Sequence, residues 1–550
     1  MPQQPPPQQS SQQQSSRKQS SPAATGPFRR RFLTLTAGAA VLALAPRLPG
    51  AYAAPSPSLG LRDDPFALGV ASGEALPDSV VLWTRLAPRP YEPSAGLPEE
   101  GEVSVQWEIS RDERFRSVEQ RGSTLAEAED GYSVHIDVRG LEPDRVYWYR
   151  FRTGSWISPA GRTRTTPEQG DPVREMRLAL ASCQQYDEGY YTALRHLADE
   201  DLDAVFFVGD YIYENAINAK AGARRYPRDR ELPASCNHTL QTLTDYRMRY
   251  ALGKADPDLQ AAHAAHPWYV TWDDHEVENN YAAEVSQHND PVAAFLRRRA
   301  AAYRAYWENM PLRSRQRPSG PDMRLYRRFS YGRLAQFDIL DTRQYRDDQA
   351  YGDGWQYPGP KSEDPARSIT GDAQEQWLID GFRRSSVVWN VVPQQVVFSR
   401  RRTTAGRSRL SMDAWDGYPA SRRRLLQGAR HAGVENLMVL SGDAHVHYAM
   451  DIKEDFDDPR SPTAGVEIAG TSLSSGFDGV ERPANRDAVL AANPHMKYFA
   501  DRRGYVVVTL EEEQARADYR TLPYVTRPGA PIGTAASFVT EAGRPGFERD

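Results

Sequence analysis

Four short apolar runs, each ending in a cluster of polar side chains, are the most informative pattern along the chain. Each run is rich in Val, Leu, Ile and Phe and shows no helical period, which is typical of a buried β-strand. Residues that carry a thiol, a carboxylate or an imidazole follow at the end of each run. The four motifs are residues 178–183 (LALASC), 204–214 (AVFFVGDYIYE), 269–276 (YVTWDDHE) and 437–447 (LMVLSGDAHVH).

The polar residues at the ends of these runs are expected to lie near one another. Ligands in open α/β sheets bind outside the carboxyl ends of the strands, so strands that lie side by side bring such residues to one rim. A thiolate, carboxylates, a phenol and imidazoles at one rim indicate a metal centre with more than one ion. The converging residues are Cys183, Asp210, Tyr213, Asp274, His275, Asp443 and His445.

A different pattern, of short and often alternating strands between turn-rich segments, covers residues 60–167. The segment Gly140-Leu141-Glu142-Pro143-Asp144 precedes one of these strands, an arrangement that is frequent in fibronectin-like sandwiches. We therefore expect an N-terminal all-β domain with an immunoglobulin/fibronectin-like sandwich fold. Its predicted strands are residues 80–85, 103–109, 132–138 and 146–153.

Helical and strand patterns alternate over residues 173–515, which predicts a multidomain protein whose second domain is a layered α/β domain. The helix over 372–384 has Asp372 as its expected N-cap and Glu375 three residues later, a capping-box pattern. Residues 516–550 form a Pro/Gly-rich C-terminal tail that is expected to be irregular. Helices are predicted at 189–201, 291–309 and 372–384, and further strands at 334–340, 387–398 and 504–510.

Composition narrows the class of protein without identifying it. A chain of 550 residues is too long for one ordinary domain, and 39% hydrophobic residues suffice for sizeable cores. The mean hydropathy of −0.68 favours a soluble, loop-rich protein. The net charge is −5, and no Lys/Arg-dense stretch with interleaved aromatics predicts stable nucleic-acid binding. Two cysteines, Cys183 and Cys236, allow at most one disulfide.

The first 53 residues are interpreted as an export signal with a disordered N-terminal extension. They contain six basic residues and no acidic one, and Arg29-Arg30-Arg31-Phe32-Leu33 is a twin-arginine element. An apolar run and the small-residue cleavage site Ala51-Tyr52-Ala53 follow. The run is short for a bilayer span of about 20 residues, so no transmembrane anchor is expected after cleavage. The alternatives are a membrane anchor or a basic linker.

Export through the twin-arginine machinery would place the mature protein in the periplasm, in the cell wall or outside the cell. This route carries proteins that are already folded, which agrees with a metal site assembled in the cytoplasm.

Each motif also has an ordinary structural interpretation. Gly209-Asp210 after a strand is common as a turn or helix cap, and the 273–276 segment fits the capped start of a helix. Residues 442–447 fit a loop with satisfied histidines. A free cysteine such as Cys183 is usually a small buried hydrophobe. The metal interpretation therefore depends on the four motifs taken together.

The order of the motifs, strand–Cys, strand–GD-x-x-Y, strand–DDHE and strand–GD-x-H, resembles the metallophosphoesterase (calcineurin-like) superfamily. In detail the chain is similar to the alkaline phosphatase D (PhoD-like) family, which shares the N-terminal sandwich, the twin-arginine signal and Cys as first ligand. The segment 64–73 (DPFALGVASG) supports this resemblance, which covers roughly residues 60–515. It implies a four-layer α/β metallophosphoesterase domain at 173–515.

The resemblance also implies a role for each residue of the predicted centre. Asp210 would bridge ferric iron (Fe3+) and calcium (Ca2+), and His275 corresponds to the active-site histidine of the superfamily. Arg343, Asn279 and Asp338 are candidates for positioning or phosphate-contacting groups. Gln394 and Gln395 occupy the part of the chain where the superfamily has a Gly-His strand. The iron ligands would be Cys183, Asp210, Tyr213 and His445, and the calcium ligands Asp210, Asp274 and Asp443.

The predicted function is a secreted metal-dependent alkaline phosphatase/phosphodiesterase, with His275 assisting the leaving group or the transition-state charge. A related alternative is a diesterase that acts on teichoic acid, phospholipid or nucleic acid. An alternative from another class is a secreted non-catalytic binding or adhesion protein stabilised by metal. A serine hydrolase is disfavoured, because no Gly-x-Ser-x-Gly motif occurs. A disulfide between Cys183 and Cys236 would contradict the metal interpretation.

Overall fold

The computed structural model describes residues 61–217, 236–458 and 460–550, so the predicted signal over 1–53 lies outside the described residues. Among the described helices, none combines the length and the apolar character needed to span a bilayer.

The strands are β1 Val70–Leu76, β2 Ser79–Arg85, β3 Glu102–Ser110, β4 Val118–Glu127, β5 Ser133–Arg139, β6 Val146–Thr153, β7 Trp156–Ile157, β8 Gly161–Arg164, β9 Glu175–Ala181, β10 Ala204–Phe207, β11 Pro267–Val270, β12 Arg327–Tyr331, β13 Ala335–Ile339, β14 Trp355–Gln356, β15 Trp389–Pro393, β16 Leu410–Ser411, β17 Leu437–Ser441, β18 His447–Lys453, β19 Thr463–Ala469, β20 Gly479–Val480, β21 Met496–Arg502, β22 Gly504–Glu511, β23 Gln514–Thr521, β24 Gly533–Glu541 and β25 Arg544–Arg549. The α-helices are α1 Thr192–Ala198, α2 Leu243–Lys254, α3 Pro257–Ala265, α4 Val292–Asn309, α5 Gly371–Arg384, α6 Pro419–His431 and α7 Arg486–Ala492.

Two large sheets carry the fold. The ten-stranded sheet has the order β25-β24-β23-β22-β9-β10-β11-β1-β2-β5, and β9, β10, β11 and β1 run parallel. The eight-stranded sheet has the order β12-β13-β15-β17-β19-β18-β21-β20, and its β13, β15, β17 and β19 run parallel. Each sheet thus has a parallel centre with antiparallel flanks. Parallel strands that are buried on both faces have continuous apolar sequences.

The two sheets pack face to face, with helices on their outer faces. The rings of Phe206 in β10 and Phe337 in β13 stack across the interface with centroids 4.6 Å apart. A second apolar cluster joins β9–β11 to α1–α4, and a third joins β15 and β17 to α5 and α6. Burial on both faces explains why these strands show no alternation of polar and apolar residues.

The N-terminal strands are divided between two sheets. β3, β4, β6, β7 and β8 form a five-stranded sheet, whereas β1, β2 and β5 belong to the ten-stranded sheet. The link is β1, which pairs in parallel with β11 through Ser72–Pro267 and Gly73–Trp268. The strands expected at 80–85, 103–109, 132–138 and 146–153 are therefore confirmed, and some of them extend the same sheet as the metal-centre motifs.

Three local predictions were wrong. Helix α5 begins at Gly371 with Thr370 at its N-cap and has no side-chain cap, because Glu375 instead binds Ser421 and Arg424 of α6. The strand expected at 387–398 is shorter, since β15 ends at Pro393. The segment 516–550 is not irregular: it completes β23 and forms β24 and β25, whose apolar side chains join the core between the sheets.

Candidate metal centre

The four motifs end at one place, but not in one sheet. β9, β10 and β11 are neighbours in the ten-stranded sheet, as expected for strands that lie side by side, whereas β17 belongs to the eight-stranded sheet. The polar residues therefore meet at the carboxyl ends of parallel strands that belong to two facing sheets. The residues lie near one another as expected, although the fourth strand is in the facing sheet, since periodicity reveals a strand without revealing its neighbours.

Two glycines allow this close approach. Gly209 has φ +114°, and a Cβ there would lie 2.4 Å from the Cβ of Asp273. A Cβ on Gly442 would lie 2.7 Å from Oγ of Ser182, across the gap between the two sheets. Each glycine immediately precedes a candidate metal ligand, so both Gly-Asp pairs are required by packing as well as by chemistry.

The first cluster contains Cys183, Asp210 and His445, whose ligand atoms all lie within 4.8 Å of one another. Tyr213 joins it, because its phenolic oxygen lies 3.1 Å from Oδ2 of Asp210 and 3.2 Å from Nε2 of His445. A thiol, a phenol, an imidazole and a carboxylate together form a donor set that suits a transition metal. Cys183 is buried and forms no disulfide, so the alternative of a disulfide with Cys236 is not supported.

Two further clusters continue from the first one. Asp210, Asp274 and His275 form the second, and Asp273, Asp274 and Asp443 form the third, with the same 4.8 Å limit between ligand atoms. Asp210 is shared by the first two clusters and Asp274 by the last two. The third consists of carboxylates alone, the donors that calcium prefers.

Several residues of the candidate centre adopt a backbone conformation that is uncommon for residues with a Cβ. Cys183, Asp210, Asp443 and His445 have φ of 59°, 58°, 60° and 54°, the left-handed region that residues with a Cβ adopt at a cost. Strain of this kind persists only where the surrounding structure enforces it, and it collects at functional sites. Four of the seven residues that the motifs single out carry this strain.

The buried charges require compensation. Burial raises the pKa of the carboxyls of Asp210 and Asp273 and of the Cys183 thiol well above their usual ranges, and it raises the pKa of Asp443 to about 6. Among the described residues, Oδ1 of Asp210 and Oδ2 of Asp273 have no hydrogen-bond partner. Carboxylate oxygens that are buried and unpaired are costly unless a cation faces them, so the residues present fit bound metal ions.

His275 lies at the mouth of this centre. Its Nδ1 is 2.6 Å from Oε2 of Glu214, its ring packs on Tyr213 with centroids 4.2 Å apart, and its side chain is 15% exposed. Burial opposes the charged form, but Glu214 and then Asp274 raise the pKa of His275 well above its usual range. Glu214 therefore fixes the orientation of the imidazole.

Arg343 lies behind the carboxylates and is completely buried. Its Nε donates to Asp273, its Nη1 and Nη2 donate to the two oxygens of Asp413 at 2.8 Å, and Nη2 lies 3.4 Å from Asp274. All its donors face protein carboxylates. This location makes Arg343 a positioning residue rather than a group that contacts phosphate.

Other sequence candidates lie outside the clusters. Nδ1 of His447 accepts a hydrogen bond from the Thr471 amide, and the ring packs on Tyr519. The side chains of Gln394 and Gln395 bind Ser441 and Thr342. The remaining candidates are Asp338 and Asn279. The carboxylate of Asp338 accepts from Arg328 and Gln336, and the backbone amide of Asn279 donates to Glu214.

Sequence reasoning missed several supporting residues. Glu276 accepts hydrogen bonds from the amides of Asp210 at 3.0 Å and Asp273 at 2.8 Å and so ties two motifs together. Glu276 and Glu214 each end a motif, which is a signal that could have identified them. Asp413 and Ser475 follow no such pattern.

Ser475 and Arg503 support the first cluster from the opposite side. Oγ of Ser475 donates to the phenolic oxygen of Tyr213 at 2.8 Å. The buried Arg503 donates through Nη1 to the carbonyl of His445 at 2.8 Å and to that of Ser475 at 2.7 Å. One guanidinium thus positions both the loop that carries His445 and the serine that binds Tyr213.

Comparisons with known proteins agree with this geometry. The family model for the PhoD-like phosphatase matches residues 178–519, and that for the PhoD-like phosphatase N-terminal domain matches residues 52–167. Alkaline phosphatase D of Bacillus subtilis (strain 168) is 48% identical over 489 residues, which cover 88% of this chain and 82% of that protein. A solved structure of PhoD matches with a TM-score of 0.85 and 48% identity, covering 89% of this chain and 92% of the other.

Proposed function

The chain belongs to the PhoD-like phosphatase family and is a phosphoric ester hydrolase, and we propose that it cleaves phosphate mono- and diesters at alkaline pH at a centre of ferric iron and calcium. The observation that carries this proposal is the series of three ligand clusters joined through Asp210 and Asp274. Membership of a phosphatase family disfavours the alternative of a non-catalytic binding protein.

The donor atoms support a division of ligands between two kinds of ion. Thiolate, phenolate and imidazole suit iron, so we assign Cys183, Tyr213 and His445 to ferric iron together with Asp210. Carboxylates suit calcium, so we assign to it Asp274 and Asp443 together with Asp210 as the bridging residue. Asp273 belongs to the third cluster as well, but Arg343 engages one of its oxygens.

The protein's own residues orient the ester and handle the proton. When bound, the ions would polarise the phosphoryl oxygens and place the attacking and leaving oxygens in line. His275, held at Nδ1 by Glu214 and partly exposed, directs its other ring nitrogen away from that carboxylate and is proposed to assist the leaving group. Arg343 keeps Asp273 and Asp274 in place from behind.

The domain organisation and localisation form part of the same proposal. We assign residues 60–167 to an immunoglobulin/fibronectin-like sandwich, 173–515 to a four-layer metallophosphoesterase domain and 516–550 to a C-terminal segment. Two facing sheets with helices outside them support the four layers. Residues 1–53 are proposed as a twin-arginine signal, which would leave the mature protein periplasmic, wall-associated or extracellular.

Hydrolysis of paired chromogenic phosphate mono- and diesters tests this function. The chain from residue 54 onward is expected to turn over both substrates with calcium present and to lose activity in a chelator, since buried carboxylates would then face one another without counter-ions. Re-addition of calcium to chelated protein serves as the control. Protein shown to contain iron and calcium but without turnover would contradict the proposal, and the monoester-to-diester rate ratio would indicate the substrate class.

Replacing Ser475 by alanine is expected to change the colour of the iron-loaded protein. A tyrosinate bound to ferric iron absorbs visible light by charge transfer, and the Ser475 hydroxyl stabilises that phenolic oxygen through a hydrogen bond. Without the bond the phenolate becomes a better electron donor, so the absorption band should move to longer wavelength. Visible spectroscopy measures this shift.

The matched control is Ser474→Ala, because the Ser474 hydroxyl donates to the carbonyl of Gln185 and not to Tyr213. Its spectrum should equal that of the wild type. A band that stays in place in Ser475→Ala would contradict the assignment of Tyr213 as an iron ligand.

A further inference from the structure

A row of stacked arginine and aromatic side chains leads away from the loop that carries Asp443 and His445. Tyr448 stands in β18, just after that loop, and the guanidinium carbon of Arg401 lies 5.8 Å from its ring centroid. The same guanidinium lies 4.7 Å from the ring centroid of Trp355. Arg401 therefore connects the edge of the metal centre to a second surface.

That second surface is the short ribbon of β14 and β16. Trp355 lies in β14, and Tyr357 directly follows the end of that strand. They are 36% and 45% exposed, unusual values for large aromatic residues. The guanidinium carbons of Arg407 and Arg409 lie 4.6 Å and 5.5 Å from the ring centroid of Tyr357.

Among the described residues, Arg401, Arg407 and Arg409 form no ion pair with a carboxylate. Within the described parts of the chain, no carboxylate oxygen lies within 4 Å of the charged nitrogens of Arg401, Arg407 or Arg409. The neighbouring Arg400 and Arg402, in contrast, both pair with Asp457. Nε of Arg401 is also buried, and none of the described residues forms a hydrogen bond with it.

Cation–π contact restrains these guanidinium groups next to the aromatic rings. A guanidinium fixed in this way suits bidentate binding of a phosphate, the anion of the proposed reaction. The backbone supports the position of Arg401, because its amide donates to Asp416 at 2.8 Å and Asp416 pairs with Arg422 at 3.0 Å.

We propose that Arg401, Trp355, Tyr357, Arg407 and Arg409 form a subsite for a second phosphate group, carried by the leaving group of the substrate. This inference rests on the proposed phosphatase function and adds to it a preference among substrates. Esters whose leaving group bears a further phosphate bind more tightly than esters with a neutral leaving group. A nucleotide and a phosphorylated polyol both have the required chemistry.

Competitive inhibition by phosphonates tests the subsite. Hydrolysis of a chromogenic monoester is measured with alkyl monophosphonates and with alkane-α,ω-bisphosphonates of increasing linker length, at fixed free calcium. In the wild type, a bisphosphonate of matching length is expected to inhibit at least about tenfold more strongly than the monophosphonate of equal length, as charge-assisted hydrogen bonds add to affinity. A second series with a phenyl ring in the linker distinguishes a nucleotide-like source from a polyol-like one.

The readout is the ratio of the monophosphonate and bisphosphonate inhibition constants in each variant. Arg401→Ala and the double change Arg407→Ala/Arg409→Ala should reduce the ratio toward one, and Arg401→Lys should restore it only in part, because an ammonium lacks the planar fork. Arg544→Ala, which removes an 82%-exposed arginine from β25, is the control and should leave the ratio unchanged.

Two results would overturn the subsite. One is a wild-type enzyme that binds both kinds of phosphonate equally well, and the other is a ratio that is the same in the arginine variants as in the wild type. A wild-type protein that fails to hydrolyse the monoester would instead contradict the proposed function, so the two failures can be told apart.

Discussion

Replacing Asp210 by asparagine is expected to lower kcat/KM for phosphate esters at least about a thousandfold, because several kilocalories per mole of transition-state stabilisation by the ions would be lost. Asp210 belongs to two of the three ligand clusters, so its change affects both kinds of ion. Asparagine has nearly the same shape and tolerates the left-handed backbone that Asp210 adopts at φ 58°. The fold should therefore persist while iron and calcium content fall.

Metal analysis, circular dichroism and ester hydrolysis together measure the effect of Asp210→Asn. The matched control is Asp338→Asn, which changes another fully buried carboxylate that pairs with Arg328 outside the clusters. That control should keep its metal and its activity while losing some stability. Near-wild-type turnover in Asp210→Asn, with both ions present, would show that Asp210 does not bridge them.

Replacing Arg343 by methionine is expected to lower the free energy of unfolding in a chelator by about 3–5 kcal/mol, the cost of leaving buried charges unpaired. The Arg343 guanidinium faces Asp273, Asp274 and Asp413, and the side chains of all four residues are at most 9% exposed. If calcium binds Asp274 as proposed, its addition should recover part of the loss. Urea unfolding with and without calcium measures both effects.

Arg328→Met is the comparison for the change at Arg343, because Arg328 pairs with one buried carboxylate, Asp338, and is itself 21% exposed. It should cost less stability than Arg343→Met. Arg343→Lys should restore only part of the loss, since an ammonium cannot reach three carboxylates in one plane. Equal losses of unfolding free energy in Arg343→Met and Arg328→Met would mean that Arg343 does not hold the carboxylates together. A positioning role for Arg343 also requires that Arg343→Met binds calcium more weakly than the wild type.

Sequence patterns identified the strands and the candidate ligands because both depend on local information. A buried strand is an apolar run, and a carboxylate at its end is visible in the next few letters, so β9, β10, β11 and β17 and the residues after them could be predicted. What failed depends on partners far away in the chain. The placement of β17 in the facing sheet and the inward direction of Arg343 are set by tertiary packing.

The same limit explains the smaller errors. The local sequence around Glu375 matches a capping box, yet the Glu375 carboxylate forms a salt bridge with Arg424 on the next helix instead of capping its own helix. The C-terminal segment contains enough Pro and Gly to suggest a loop, yet Phe538 and Phe547 find an apolar face already built by β22 and β23. Ser475 has no local signal at all, because only the fold brings it to Tyr213.

The pairing of β1 with β11 has a consequence for how the chain is made. Strand β1 leaves the ribosome early, but its partner is synthesised much later, since Ser72 pairs with Pro267. Parallel pairing between such distant segments is slow, and until it forms, the edge of β1 is open to wrong partners. A nascent chain stopped before residue 267 cannot complete this sheet, so the N-terminal strands are expected to need a chaperone until β11 emerges. A translocation route that accepts only folded proteins would give the pairing of β1 with β11 time to complete inside the cell.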